Sequence, residues 1–264
     1  MNTILGFDRE DGRFIYNIWR TNLSDRYLGS VLGAIWAILN PLIMFALFTF
    51  VFAFVFKARI PGADSSLSYS IWLICGYGPW LANSEALMAS SNAIISNSGL
   101  VKNMAFKTEV LPIASTLIGV VPLGVSLIFL VILQFFNGEG FSWSLVWLPF
   151  VIFVQFLFLA ALGFLLAVIT TFVRDFGILL PNLLLICLFG TPIFYSIETL
   201  PTVVQNIEAF NPFYIISEAY RSVLLGHQSP NLVAIISLGA ISWGLIIFNL
   251  KIFRRIKGFF ASII

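Results

Sequence analysis

Charge is scarce in this sequence: Asp, Glu, Lys and Arg make up 10% of its residues, against 59% for the hydrophobic types. Soluble domains carry roughly 25% charged residues, so a water-soluble fold is excluded. Histidine is nearly absent, and the lone His227 cannot form the paired imidazoles on which many metal sites and proton relays depend. Cysteine is limited to Cys75 and Cys187, both inside apolar runs, which read as buried free thiols and predict neither a disulfide nor a zinc site. A phosphate-cradling loop is missing as well. The pattern G-x-x-x-x-G-K-[ST] requires a Gly-Lys pair, and none occurs in the chain, so any use of ATP falls to another subunit.

What the sequence has instead is long apolar runs and a mean hydropathy of +0.99. A helix needs roughly 20 apolar residues to cross about 30 Å of hydrocarbon. Six segments qualify on inspection, at 31–56, 67–90, 110–136, 145–173, 176–197 and 232–250. A closed β-barrel is the other spanning solution, but its strands alternate apolar and polar residues, and the run 145–173 is apolar on nearly every face. The expected fold class is therefore an all-α integral membrane protein with six transmembrane helices, forming one domain over 1–264. Placing the N-terminus inside puts eleven of the 14 basic residues on the inner side and leaves Lys57, Arg59 and Arg221 outside. That asymmetry, with basic residues before the first span and after the last, predicts cytoplasmic N- and C-termini and a cytoplasmic tail over 251–264. The first thirty residues are too charged for a cleaved signal peptide.

The connecting segments carry their own patterns. In the N-terminal stretch 1–28, Phe14, Ile15, Ile18, Trp19, Leu23 and Tyr27 fall near one helical face. This predicts an amphipathic helix in the cytoplasmic interface, either a docking lever or a plain anchor; periodicity does not separate the two. The inner loop 91–109 is polar and long enough for a short helix along the membrane. The outer connection 196–230 holds two short amphipathic stretches, 203–210 and 213–225, which are too short and polar to span and read as re-entrant or interfacial helices.

Few residues suit chemistry. Glu85 is an acidic residue within the second span, and a charge there costs roughly 3 kcal/mol unless it is partnered or wet. It serves either the transport path or a hydrogen-bonded anchor near the inner end. The chain has 28 Phe, 7 Trp and 7 Tyr, most of them expected as interfacial belts and packing. Tyr69, Tyr77, Trp80, Phe194, Tyr195 and Tyr214 are candidates for passing a sugar polymer over aromatic faces. Glu198, Glu208 and Glu218 in the outer loop suit a membrane enzyme only if a catalytic partner accompanies them. A stand-alone secondary transporter predicts inverted repeats or charged broken helices, and neither is evident.

Three stretches together resemble one family. They are Asp25-Arg26-Tyr27-Leu28-Gly29-Ser30-Val31-Leu32-Gly33 leading to Trp36 and Asn40-Pro41; Phe172-Val173-Arg174-Asp175; and Thr191-Pro192-Ile193-Phe194-Tyr195 followed by Leu200-Pro201 and Asn211-Pro212. In order and spacing they are similar to the membrane subunit of ABC-2 type polysaccharide exporters, which serve O-antigen, capsule or teichoic acid. The resemblance implies a permease that exports a lipid-linked polysaccharide across the bacterial inner membrane, with an O-antigen-type glycan preferred. It implies two copies of this chain, two copies of a separate ATPase that binds ATP and Mg, no cofactor in this chain and no nucleic acid. It maps a coupling helix onto 97–107, with Asn97, Ser98, Gly99, Lys102, Asn103 and Lys107. It sets the interfacial helix, with Arg20, Asp25, Arg26 and Tyr27, against the same partner. The segment 191–225 becomes the exit rim.

Overall fold

The computed structural model describes residues 8–56, 66–103, 107–138 and 142–263. The expected outer cations Lys57 and Arg59 lie outside these residues, as does the side chain of Asn103. No strand occurs among the described residues. The elements in order are α1 Arg9–Asp25, α2 Trp36–Thr49, α3 Ser66–Ser91, α4 Ala93–Ser96, α5 Ser98–Asn103, α6 Val110–Thr116, α7 Val120–Asn137, α8 Leu148–Phe172, α9 Arg174–Gly190, α10 Thr202–Glu208, α11 Pro212–Leu224, α12 Leu232–Ile256 and α13 Phe260–Ile263.

Among the described residues, four stretches are both long and apolar enough to cross a membrane: Gly33–Val55, Val110–Asn137, Trp143–Phe172 and Leu232–Phe259. Each contains one or two of these helices, joined to short 3-10 or π segments. The first ends in a π-helix, Phe50–Val55, in place of regular α turns. The other two expected spans are also helical but differ in kind. With 17 residues, α9 is about 25 Å long at 1.5 Å per residue, short of the hydrocarbon thickness. With 26 residues, α3 is long enough but more polar.

The polarity of α3 follows from its place. It packs against α7, α8 and α11, and from Tyr69 to Ala82 only Trp72 and Leu81 escape full burial. A central helix meets protein on most faces, so Ser70, Asn83, Ser90 and Ser91 are buried among partners rather than in lipid. Helix association in lipid relies on close approach rather than on water exclusion. Gly119 supplies one such approach: a Cβ there would lie 2.6 Å from the Ala82 carbonyl oxygen of α3. The outward faces of α2, α9 and α12 remain apolar and exposed, as at Leu47, Ile186 and Ile241.

Candidate functional site

At the end of the bundle that carries both termini, α1 lies across α6. Its apolar face is covered by protein: Ile18 is buried in a cluster with Ala93, Val110, Leu111 and Ala114, with Phe14 and Ile15 beside it. Trp19 Nε1 donates to the Leu117 carbonyl at 3.0 Å. The first turn is fixed by charge. The Asp8 N–H donates to Asp11 Oδ2 at 2.7 Å, and Lys107 Nζ donates to Asp11 Oδ2 at 2.7 Å and to Asp8 Oδ2 at 3.2 Å. The Lys107 ammonium, helped by the Asp8 N–H, holds the Asp11 carboxyl below the ordinary carboxylate range.

The predicted coupling residues fall just after α4, on α5 and on the segment between α5 and α6. Asn97 Nδ2 donates to the Ala93 carbonyl at 2.8 Å and so closes α4. Gly99 and Lys102 are exposed and Ser98 is half-buried, while Lys107 grips α1 rather than facing outward alone. Of the interfacial residues, Arg20 and Asp25 are exposed and Tyr27 is half-buried. Arg26 Nη1 donates to Glu85 Oε2, joining the segment after α1 to α3. The Glu85 side chain is 22% exposed, at the same end of the molecule as α1. Beside it, Asn22, Asp25, Arg26 and Asn92, together with Met88 and Ile118, line a cleft of about 480 Å³.

The far end is built around residues 191–195. Tyr69 donates to the Phe194 carbonyl at 2.8 Å. The Phe194 ring stacks on Phe52 of the π-helix at 4.7 Å and 4°, and meets Phe48 at 4.8 Å and Tyr77 at 5.8 Å. Trp80 packs edge-on to Phe213 at 5.0 Å. Of the candidate aromatics, Tyr69, Tyr77, Trp80 and Phe194 are thus buried within the subunit, while Tyr195 and Tyr214 keep accessible surface. Tyr195 donates to the Phe189 and Gly190 carbonyls, satisfying the end of α9. Tyr214 lines a pocket of about 170 Å³ with Glu218, Ser222 and Asn231. Asn211 begins α11 by accepting from the Phe213 N–H, and it donates to Thr191 Oγ1 and Glu208 Oε2.

Sequence reading misses two groups. Arg221, counted as an outer cation, is 5% exposed and donates to the Pro192 and Ile193 carbonyls at 3.0 and 2.8 Å. Midway through the bundle, Tyr220 donates to Gln155 Oε1 at 2.6 Å, and Gln155 Nε2 donates to Asn83 Oδ1 at 2.7 Å, linking α11, α8 and α3. No periodic signal marks either group. The only hint is a polar residue in an otherwise apolar run.

A helical bundle with several apolar stretches long enough to cross a bilayer defines a multi-pass membrane protein. Residues 13–225 match the ABC-2 type transporter family, and the chain belongs to that family. The O-antigen export system permease protein RfbA of Myxococcus xanthus is 26% identical over 250 residues, covering 94% of each chain. Its counterpart of the same name in Klebsiella pneumoniae is 25% identical over 249 residues, covering 94% of this chain and 93% of that protein.

Proposed function

We propose that this chain is the transmembrane subunit of an ATP-driven exporter of a lipid-linked polysaccharide, an O-antigen or related glycan, across the bacterial inner membrane. The end-to-end similarity to O-antigen export permeases carries the reading. In this reading the chain is one membrane domain whose six crossings include α3 and α9, with both termini in the cytoplasm and α10 and α11 re-entrant at the outer face. Two copies enclose the path. Two copies of a separate ATPase subunit bind ATP and Mg, since this chain has no Gly-Lys pair for a phosphate loop.

The α1 and α4–α5 end meets the ATPase, through Asn97, Ser98, Gly99, Lys102, Asn103 and Lys107 together with Arg20, Asp25, Arg26 and Tyr27. Closure of the ATPase pair on ATP displaces this end and shifts the bundle between states that contact the ATPase differently. Glu85, Tyr69, Tyr77, Trp80, Phe194, Tyr195 and Tyr214 belong to the glycan path or its walls, with 191–225 at the exit.

The test is co-expression with a candidate ATPase subunit, purification through a tag on this chain, and ATPase assay in lipid with and without residues 102–107 replaced by a Gly-Ser segment. Co-purified ATPase that is lost on replacement supports the reading. A stable chain that binds no ATPase and transports alone overturns it.

A further inference from the structure

The last helix does not end where its apolar run ends. It continues through Lys251, Arg254 and Arg255 to Ile256, after which the chain turns through a 3-10 segment, Lys257–Phe259, into α13. Sequence alone makes 251–264 a basic cytoplasmic tail. In the structure it is built into the bundle. Phe260 has no exposed surface, and its ring meets Phe253 at 5.1 Å and Phe172 at 6.3 Å. It shares one apolar cluster with Ile94 of α4, Phe164 of α8 and Leu250 of α12, and Val101 of α5 packs against that cluster. Arg174, at the start of α9, donates to the Ile263 carbonyl at 3.2 Å.

Glu109 makes the second attachment. Its side chain is 3% exposed, and Oε1 accepts from Arg254 Nε at 3.2 Å and from Lys257 Nζ at 3.3 Å. A carboxylate taken so far out of water is costly unless cations pair with it, and the tail supplies two. Two residues earlier, Lys107 holds α1 through Asp11. The stretch 107–109 therefore ties both chain ends to the foot of α6, with α5 beside the tail.

α5 has six residues, far below the length at which a helix is stable alone, so its position is set by what it packs on. A push on α5 reaches the spans through the backbone that joins it to α4 and α6, and through Val101, which packs both on the cluster under α1 and on the cluster that holds Phe260. Val101 leads to the Phe260 cluster, and that cluster leads to Phe164 of α8 and Phe253 of α12, two long helices packed on one another. Packed interiors compress little and so transmit displacement.

From this arrangement we infer that Phe260 and Glu109 make the C-terminal tail a strut, which positions α5 and passes its displacement to α8 and α12. The inference rests on the reading above, in which the α4–α5 end meets the ATPase. The residues are positioning residues: they set how much export each hydrolysed ATP yields, not whether the ATPase binds.

The test compares the reconstituted complex of wild type, Phe260→Ala, Glu109→Gln and a Gly-Ser replacement of 98–102, reading ATPase association, hydrolysis and glycan exported per ATP. Phe260→Ala and Glu109→Gln are expected to keep the ATPase bound and hydrolysing near the wild-type rate, while export per ATP falls about fivefold or more. Phe260→Leu, which keeps apolar bulk, restores most of it. Unchanged export per ATP in Phe260→Ala at normal abundance overturns the strut. So does loss of the ATPase from folded Phe260→Ala, which makes the tail a docking surface instead. Where Phe260→Ala does not accumulate, Arg254→Glu with Lys257→Glu breaks the tail's other attachment, the one to Glu109, and leaves the Phe260 cluster intact. Adding Glu109→Lys is expected to restore export per ATP, and no restoration overturns the proposal. If the 98–102 replacement keeps its ATPase, the docking reading fails, while the ratio in Phe260→Ala still decides the tail.

Discussion

The guanidinium of Arg221 lies 3.7 Å from the centroid of the Trp72 ring, while its Nη atoms donate to the Pro192 and Ile193 carbonyls. One side chain of α11 thus fixes the turn after α9 against α3. The space for it comes from Gly76, where a Cβ would lie 2.5 Å from Arg221 Nη2. Arg221→Ala leaves two carbonyls without their donor, each costing about 1–3 kcal/mol, and Gly76→Ala displaces the same group. Each variant is expected to lower the midpoint of thermal aggregation in detergent. Because both act on one contact, the double variant loses much less than the sum, and a fully additive loss sinks this account.

Arg26 and Glu85 give a prediction of the opposite size. Their side chains are 37% and 22% exposed, and pairs with access to water are worth about 0.2–1 kcal/mol. Glu85→Gln is therefore expected to leave abundance and export near wild type, and the swap Arg26→Glu with Glu85→Arg to be tolerated. Loss of export in Glu85→Gln with normal folding means that the carboxylate acts on the glycan itself rather than bracing the wall of the path through Arg26.

How far the sequence discloses this arrangement depends on the kind of signal. Scarcity of charge and unbroken apolar runs carry the all-helical membrane class, because lipid admits few other solutions. The same runs do not say which helix is central. α3 and α8 both read as spans, yet α3 holds Asn83, Ser90 and Ser91 because protein surrounds it. Periodicity shows that α1 has an apolar face but not that Ala93, Val110 and Leu111 cover it. Charge counting assigns a side of the membrane rather than a depth, so it puts Arg221 on the outer surface although the residue is buried. Glu109 is one polar residue among several in a loop. Its role depends on Arg254 and Lys257, about 145 residues further on, a distance no local pattern spans.

The chain of Tyr220, Gln155 and Asn83 crosses three helices, and its middle member makes the most bonds: Gln155 also donates to the Pro79 carbonyl at 3.2 Å. Interhelical hydrogen bonds in membranes average about 0.6 kcal/mol and reach about 1.7. Tyr220→Phe removes one bond and is expected to produce a small drop in thermal stability. Gln155→Leu strands Tyr220 and Asn83 together and is expected to cost clearly more. Equal losses from the two variants count against a connected network.

The first turn of α1 is held differently from its middle, and pH separates the two. Asp11 titrates below its ordinary value of 3.8, mainly because Lys107 donates to its carboxylate; Lys107 titrates above its ordinary 10.5, mainly because of the same bond. A lowered carboxylate stabilises the attachment fully above 3.8, and this is lost as pH falls through the depressed value; a raised lysine does so below 10.5 and loses it at higher pH. The attachment is therefore constant across the neutral range and fails in acid. The middle of α1 depends on Ile18 and on Trp19 donating to Leu117, none of which titrates. Spin labels at Arg13→Cys and Thr21→Cys, in a Cys187→Ser background, report the two parts. Below pH 3.8, or at neutral pH in Lys107→Gln, the label at 13 is expected to gain mobility while that at 21 does not. High salt acts in the same direction, since Lys107 and Asp8 are 39% and 74% exposed. Equal mobility gains at both positions mean that the ion pair holds the whole helix, and the division between a charged first turn and an apolar middle is then wrong.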